Sequence, residues 1–334
     1  MPNNKEILEK LKKESIDTAG IKRDLINKKK IIVICGPTGT GKTDLGIYLA
    51  KVLATEIISV DSMQVYKGMD IGTGKIDTGV YGINQFMVDI FDANHKMTVK
   101  EFRDIATEII KSNFYSKKKI PLMVGGSGMY IKALIDGIDE SPGEDKDLRI
   151  KMNKDINKSG LENYYKKLCE VDSQYASRIN KNDRRRIIRA LEVHMTASIP
   201  YSDFQRSWNS AARYDAIFIG LKKNRLRLYR AIEKRVDNMF EKGLIEEVKK
   251  LLDDGFSDSY GLKQAVGYKE IISYLNGDID MDECKKLVKQ NSRRIAKKQM
   301  TWFRQDYRIN WLSIDNYDNI FDLIKDTLRL LQKG

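Results

Sequence analysis

Eight consecutive residues, Gly36-Pro37-Thr38-Gly39-Thr40-Gly41-Lys42-Thr43, follow the pattern Gly, four residues, Gly, Lys, Ser/Thr. Glycines at those positions let successive backbone N–H groups turn toward one anion. A helix starting behind them adds its partial positive charge, and Lys42 reaches a terminal phosphate. A second candidate is Asp61-Ser62, a carboxylate and a hydroxyl directly after an apolar run. The same pair also serves as a helix N-cap or turn, and in isolation both readings stay open. Gly125-Gly126-Ser127-Gly128 is a third: Ser127 either caps the following helix or aims a hydroxyl at the anion of the first loop. On chemistry alone capping is the stronger reading. Two basic clusters, Asn182–Arg189 and Lys285–Arg308, could meet a polyanion or simply face water.

These groups need elements to hold them. Ile31–Cys35 has the length and β-branched character of a buried strand, and Leu45, Leu49, Val52 and Leu53 follow at helical spacing. Glu56–Val60, Phe86–Ile90, Ile120–Val124, Ala216–Leu221 and Ile309–Ser313 read as further strands, with helices near Val99–Phe114 and Leu323–Leu331. Asp61 and Ser127 then lie at carboxyl ends of strands, where parallel sheets place ligands. Leu226, Tyr229, Ile232, Val236, Met239 and Phe240 trace the apolar stripe of a long helix; Arg227, Arg230 and Arg235 lie beside it and none stands out by pattern. On a helical projection of the last long helix, Arg293, Arg294, Lys297, Lys298, Thr301, Arg304 and Gln305 share one arc. Ile295, Ala296, Gln299, Met300, Trp302 and Phe303 fill the packing arc. Nine Lys/Arg and one acid lie between Lys285 and Arg308.

The expected fold is α/β, a P-loop NTPase-like three-layer core with a mainly parallel sheet, plus an all-helical insertion. The core spans residues 31–140 and 208–334, and the insertion spans 141–207, where the pattern turns charged and helical after Ser141-Pro142-Gly143. Residues 1–30 carry nine Lys/Arg against five Asp/Glu and read as a basic accessory arm with one weak amphipathic helix on Ile7, Leu8, Leu11 and Ile16.

Composition bounds the rest. A hydrophobic content of 41% supports a real core, and a net charge of +13 points to a polyanionic partner. Cys35, Cys169 and Cys284 are an odd, scattered set that fits a reduced cytoplasmic protein, and two histidines, His95 and His194, are too few for a zinc module. No apolar stretch approaches the ~20 residues of a membrane span, and the charged start is no signal peptide. These features leave an NTPase, a kinase and a nucleic-acid transferase open.

The residue strings narrow the choice. Residues 36–43, Ile-Ser-Val-Asp-Ser-Met-Gln-Val-Tyr-Lys-Gly-Met-Asp-Ile-Gly-Thr-Gly-Lys at 58–75 and Val-Gly-Gly-Ser-Gly-Met-Tyr at 124–130 resemble those of the tRNA dimethylallyltransferases. So do Asn182–Glu192, Ala-Val-Gly-Tyr-Lys-Glu at 265–270 and Lys-Lys-Gln-Met-Thr-Trp-Phe-Arg at 297–304. The resemblance covers about residues 31–315, and the 58–75 string is its most specific part.

It implies transfer of a dimethylallyl group from dimethylallyl diphosphate to N6 of the adenosine on the 3′ side of a tRNA anticodon. By this resemblance Asp61 is the general base. Lys42 and the rest of the loop hold the diphosphate, Thr43 helps to hold Mg2+, and Arg235 binds the diphosphate. Ser127 stands where many members carry Thr, so its hydroxyl role is kept. Asp61, Ser62, Met63, Gln64, Arg186, Arg189, Arg293, Lys297, Lys298 and Arg304 are the implied tRNA contacts, with Gln64 a candidate reader of the base edge. A monomeric, cytoplasmic, bacterial-type enzyme is expected. Many members carry paired histidines ahead of the Asp89 strand, where this chain reads Gly82-Ile83-Asn84-Gln85-Phe86, and the N-terminal thirty residues are longer than the usual family start. The rivals are an adenylate prenyltransferase of the cytokinin type, a nucleotide kinase or NTPase occupying the loop with ATP, and a non-catalytic RNA-binding module.

Overall fold

The structure, a computed structural model, describes residues 4–138, 141–206 and 212–334. Its centre is a six-stranded, all-parallel sheet: β1 (Ile31–Cys35), β2 (Ile57–Val60), β3 (Gln85–Phe86), β4 (Leu122–Gly125), β5 (Ala216–Lys222) and β6 (Ile309–Ser313), in the order β3-β2-β4-β1-β5-β6. Register sets Ile34 opposite Val124, Cys35 opposite Gly220 and Val60 opposite Gly125. Alternating side chains divide between two apolar layers, as a two-residue period requires. Ile31, Val33 and Cys35 enter one, with Ile58, Val60, Met123 and Phe218; Ile32 and Ile34 enter the other, with Ile57, Leu122, Val124 and Ile219.

The second layer is closed by α1 (Asn4–Lys13), α2 (Thr18–Asn27), α3 (Lys42–Val52) and the last helix, α16 (Ile320–Lys333). Where the sequence suggests one weak helix in an accessory arm, the chain forms two. Ile7, Leu11, Ile16, Ile21 and Leu25 are buried with Leu323, Ile324, Leu328 and Leu331. A positive φ at Ser15 turns the chain between the helices, and the Asp17 side chain accepts from Gly20 N–H to start α2.

The first layer is covered by helices that follow the middle strands. These include α4 (Val99–Ile109), which runs on through a π-helical turn at Ile110–Tyr115, and α5 (Gly128–Ile135). The strand expected over Phe86–Ile90 ends at Phe86, because Met87 and Asp89 take positive φ and leave the extended conformation.

The chain divides into two compact units, residues 1–135 with 214–334, and 136–213. The boundaries expected near 140 and 207 border residues 139–140 and 207–211, which lie outside the described residues. Within the smaller unit stand α6 (Lys146–Ser159), α7 (Leu161–Val171), α8 (Ser173–Ala176), α9 (Arg184–Ala197) and α10 (Tyr201–Arg206), around Met152, Leu168, Ile187 and Leu191. The larger unit continues after β5 with α11 (Arg225–Glu241), α12 (Leu244–Asp253), α13 (Tyr260–Gln264), α14 (Tyr268–Leu275) and α15 (Met281–Phe303). On α11 the buried side chains are Leu228, Ile232 and Val236, whereas Leu226, expected in the stripe, is 69% exposed.

Candidate active site

In a parallel sheet all strands end on one edge, so the segments after β1, β2, β4 and β5 meet there. After β1 the loop turns through Gly36, Gly39 and Gly41, all at positive φ, and delivers Lys42 and Thr43 into the first turn of α3. Thr40 Oγ1 donates to Pro37 O at 2.9 Å, and Lys42 Nζ folds over the loop to the same carbonyl at 2.7 Å. Lys223, just past β5, approaches Gly39 O at 3.4 Å.

Arg235 enters from α11. Its Nη1 donates to Thr38 Oγ1 at 2.7 Å and its Nη2 to Thr73 O at 3.2 Å. The approach is close enough that a Cβ at Gly74, itself at positive φ, would lie 2.2 Å from Nη2. Arg227 pairs instead with Asp315 at 3.2 Å, so helix phase separates these arginines.

Burial lowers the Lys42 pKa to about 8; the Arg235 charge pushes the same way and the Asp61 carboxylate opposes it. Burial likewise lowers Arg235, and Asp61 again opposes. The site therefore holds two cations in a poorly solvated place with one carboxylate between them in effect. An added anion would relieve that strain. Cys35, buried at the end of β1, has its thiol pushed up to about 12 by burial and is no nucleophile here.

Asp61 and Ser127 sit across from each other at the ends of β2 and β4. Asp61 Oδ1 accepts from Met63 N–H at 2.8 Å, an Asx turn rather than a helix cap, since turns follow it. The Ser127 hydroxyl accepts from Ser62 N–H at 3.2 Å, while the Ser127 carbonyl accepts from the Tyr130 and Ile131 N–H groups of α5. The hydroxyl thus holds the Asp61 segment and keeps its own hydrogen to donate. Gln64 Oε1 accepts from Ser59 Oγ at 2.7 Å, and its Nε2 donates to Thr73 O at 3.3 Å. The Thr73 carbonyl consequently joins Arg235 and Gln64.

Within the 58–75 string, residues 66–75 form a loop held from both sides. Lys75 Nζ reaches Tyr66 O at 2.6 Å, Asp70 at 2.7 Å and Asp89 at 2.5 Å from inside the loop. Outside it, the Glu247 carboxylate of α12 accepts the N–H groups of Asp70, Ile71 and Gly72 and the Tyr268 hydroxyl at 2.6 Å. Glu247 does not announce this role by pattern; Lys75 and Tyr268 lie in strings already singled out, at 58–75 and 265–270, though neither string shows the contact.

The basic residues sort differently from their sequence grouping. Lys297, Lys298 and Arg304 are exposed and have no ion-pair partner among the described residues. Arg293 is half-buried and pairs with Glu233 of α11, beside the Tyr229 ring. Ile295, expected on the packing arc, is exposed among the cations. In the smaller unit Arg186 is exposed, with one pairing to Asp183 at 3.2 Å. Arg189, also an implied tRNA contact, is engaged within the smaller unit. Its guanidinium is spent on Glu192 at 2.7 Å, Ser141 Oγ at 3.0 Å and the Gly143 and Pro142 carbonyls. Burial works against the Glu192 charge, but Arg149, Arg189 and the Asp145 N–H outweigh it and hold the carboxyl below its usual range.

No group of three or more His, Cys, Asp or Glu among the described residues could hold a metal by itself. The Thr43 hydroxyl, in the first turn of α3 behind the loop, is a hard donor. It suits Mg2+ that takes its other ligands from substrate phosphates and water.

Comparison with known proteins bears on these groups. Residues 64–306 match the family model described as IPP transferase. The chain is 40% identical to the tRNA dimethylallyltransferase of Geobacter sulfurreducens over 297 residues, covering 88% of this chain and 95% of that protein. The corresponding protein of Pelotomaculum thermopropionicum is 42% identical, with 87% and 93% covered. Among solved structures, a full-length tRNA isopentenylpyrophosphate transferase from Bacillus halodurans superposes with TM-score 0.67 at 37% identity, covering 92% of this chain and 98% of its own. A eukaryotic dimethylallyltransferase acting on tRNA gives TM-score 0.71 at 26% identity, with 85% and 74% covered.

Proposed function

The chain belongs to the IPP transferase family, and from that premise we propose that it transfers a dimethylallyl group from dimethylallyl diphosphate to N6 of the adenosine 3′-adjacent to the anticodon of tRNA, releasing diphosphate. The observation that carries this reading is the meeting of Lys42 and Arg235 with Asp61 and Ser127 at one edge of the sheet: an anion clamp facing a carboxylate and a hydroxyl.

The exocyclic amine of adenine is a poor nucleophile, because its lone pair is delocalised into the ring. Asp61 takes the N6 proton as the N–C bond forms and the C–O bond to the diphosphate breaks. Lys42, Arg235 and the loop N–H groups meet the charge that builds on the departing oxygens. The Thr43 hydroxyl would hold Mg2+ together with diphosphate oxygens, and that ion when bound neutralises part of the same charge. Ser127 keeps the Asp61 segment in place and offers its hydrogen to the reacting centre. A stacked base cannot reach this edge, so the target nucleotide is flipped out of the anticodon loop. The clamp takes a prenyl diphosphate here; ATP turnover without tRNA would favour an NTPase.

The exposed cations of α15 supply the sequence-independent part of tRNA affinity. Replacing Lys297, Lys298 and Arg304 together by Ala is expected to reduce the slope of log affinity against log salt by about 2, at roughly 0.7 per single-strand phosphate contact. Arg293→Ala is expected to leave the slope nearly unchanged, because its charge is already paired with Glu233. An unchanged slope in the triple variant would mean that the α15 face points away from RNA. Among the described residues no helix is long and apolar enough to cross a membrane.

Incubation of the full chain with dimethylallyl diphosphate, Mg2+ and unmodified tRNA tests the reaction. A mass increase on an anticodon-loop fragment is expected, with diphosphate release only when both substrates are present. A well-folded protein that adds no mass would end this reading; addition to free adenylate instead of tRNA would replace it with the cytokinin-type reaction.

A further inference from the structure

Gln299 lies on α15 and makes two hydrogen bonds to loops distant in sequence. Its Oε1 accepts from Thr38 N–H at 2.9 Å and its Nε2 donates to Gly126 O at 3.2 Å. Thr38 also carries Arg235 on its hydroxyl, so the first bond ends on the anion clamp. Gly126 precedes Ser127, whose hydroxyl holds Ser62 beside Asp61, so the second bond ends on the acceptor side.

The surroundings fit a spacer of fixed length. A Cβ at residue 126 would lie 2.3 Å from Gln299 Nε2, and one at residue 128 would lie 2.1 Å from the Trp302 ring, one turn along α15. Lys289 pairs with Asp237 at 2.6 Å and Arg293 with Glu233, tying α15 to the helix that carries Arg235.

We propose that Gln299 is a positioning residue for the transfer reaction: its amide sets the distance between the diphosphate clamp and the Asp61–Ser127 pair, and so the alignment of N6 with the prenyl carbon. The proposal rests on the prenyl-transfer reading. Reacting atoms must be held about 3–3.5 Å apart, and a displacement of about 1 Å can cost on the order of a hundredfold in rate. Only a group with both a donor and an acceptor makes both bonds; a methionine fills similar volume and makes neither.

Gln299→Met and Gln299→Ala, each in the full chain, separate tie from packing. Both are expected to lower kcat by about ten- to a hundredfold, with KM for dimethylallyl diphosphate and Kd for tRNA within about threefold of wild type. The Thr38 amide is expected to exchange with deuterium faster in both variants, a readout that needs no turnover. A wild-type kcat in Gln299→Met, or unchanged exchange at Thr38, would overturn the proposal. A rise in donor KM or tRNA Kd matching the loss of kcat/KM would also overturn it, by making Gln299 a binding group. Wild-type inactivity on tRNA would instead remove the reading on which the proposal rests.

Discussion

Asp61→Asn is expected to lower kcat for prenyl transfer by about a thousandfold, within the range of ~10²–10⁴ typical of a positioned general base, while tRNA affinity stays within a few-fold. Asparagine is the informative replacement because Asp61 Oδ1 accepts from Met63 N–H. The amide oxygen can keep that turn, so the loss reports on proton transfer and charge rather than on loop geometry. Asp61→Ala loses the turn as well and is expected to be equally inactive and somewhat less stable. Single-turnover rates with saturating tRNA and donor measure the effect directly. If Asp61→Asn kept a tenth or more of the wild-type rate, the carboxylate would not be the base. A large drop in tRNA binding would make it a structural residue.

The second large effect concerns Lys42. Lys42→Met is expected to reduce kcat/KM for dimethylallyl diphosphate by about a hundred- to a thousandfold, the scale seen when one stabiliser of developing negative charge is removed. Because the free enzyme holds Lys42 at a pKa of about 8, and a bound diphosphate favours its charged form, donor binding takes up a proton above that pH. Donor affinity is therefore flat below about pH 8 and falls as pH rises through it, by at most tenfold per unit. Lys42→Arg should keep part of the activity and lose this inflection, since a guanidinium does not deprotonate in the accessible range. Asp61→Asn should move the inflection to lower pH, because the Asp61 charge raises the Lys42 pKa. Diphosphate titrations of the three proteins between pH 6.5 and about 9.5 check all of this. An unmoved inflection in Asp61→Asn would show that the two groups do not share one site.

Much of the site was legible before any fold was known, and for a physical reason. Residues 36–43 act through consecutive backbone N–H groups and a following helix start, a geometry written in contiguous residues. The five longer strands were readable from short β-branched runs. Phe86–Ile90 was not, because Met87 and Asp89 are drawn into left-handed turns and Asp89 binds Lys75, a contact that no local pattern contains. The N-terminal helices were undervalued for a related reason. Ile7, Leu11, Ile21 and Leu25 form a weak stripe alone, and gain their burial from α3 and from α16, at the other end of the chain.

The sequence by itself determined which chemistry was on offer: a phosphate loop, a carboxylate and a serine at strand ends, and a positively charged last helix. Tertiary structure decided which side chains take part. Arg235 rather than Arg227 reaches Thr38 because α11 buries Ile232 and Val236 against the core, turning that face inward. Arg189 and Arg293 are consumed by Glu192 and Glu233, while Lys297, Lys298 and Arg304 stay in water. Gln299, assigned to a packing face, bridges two loops whose distance in sequence hides them from each other. Periodicity reports how one element divides between core and solvent. It cannot report which buried or long polar side chain finds a partner, because that partner comes from a different helix or loop.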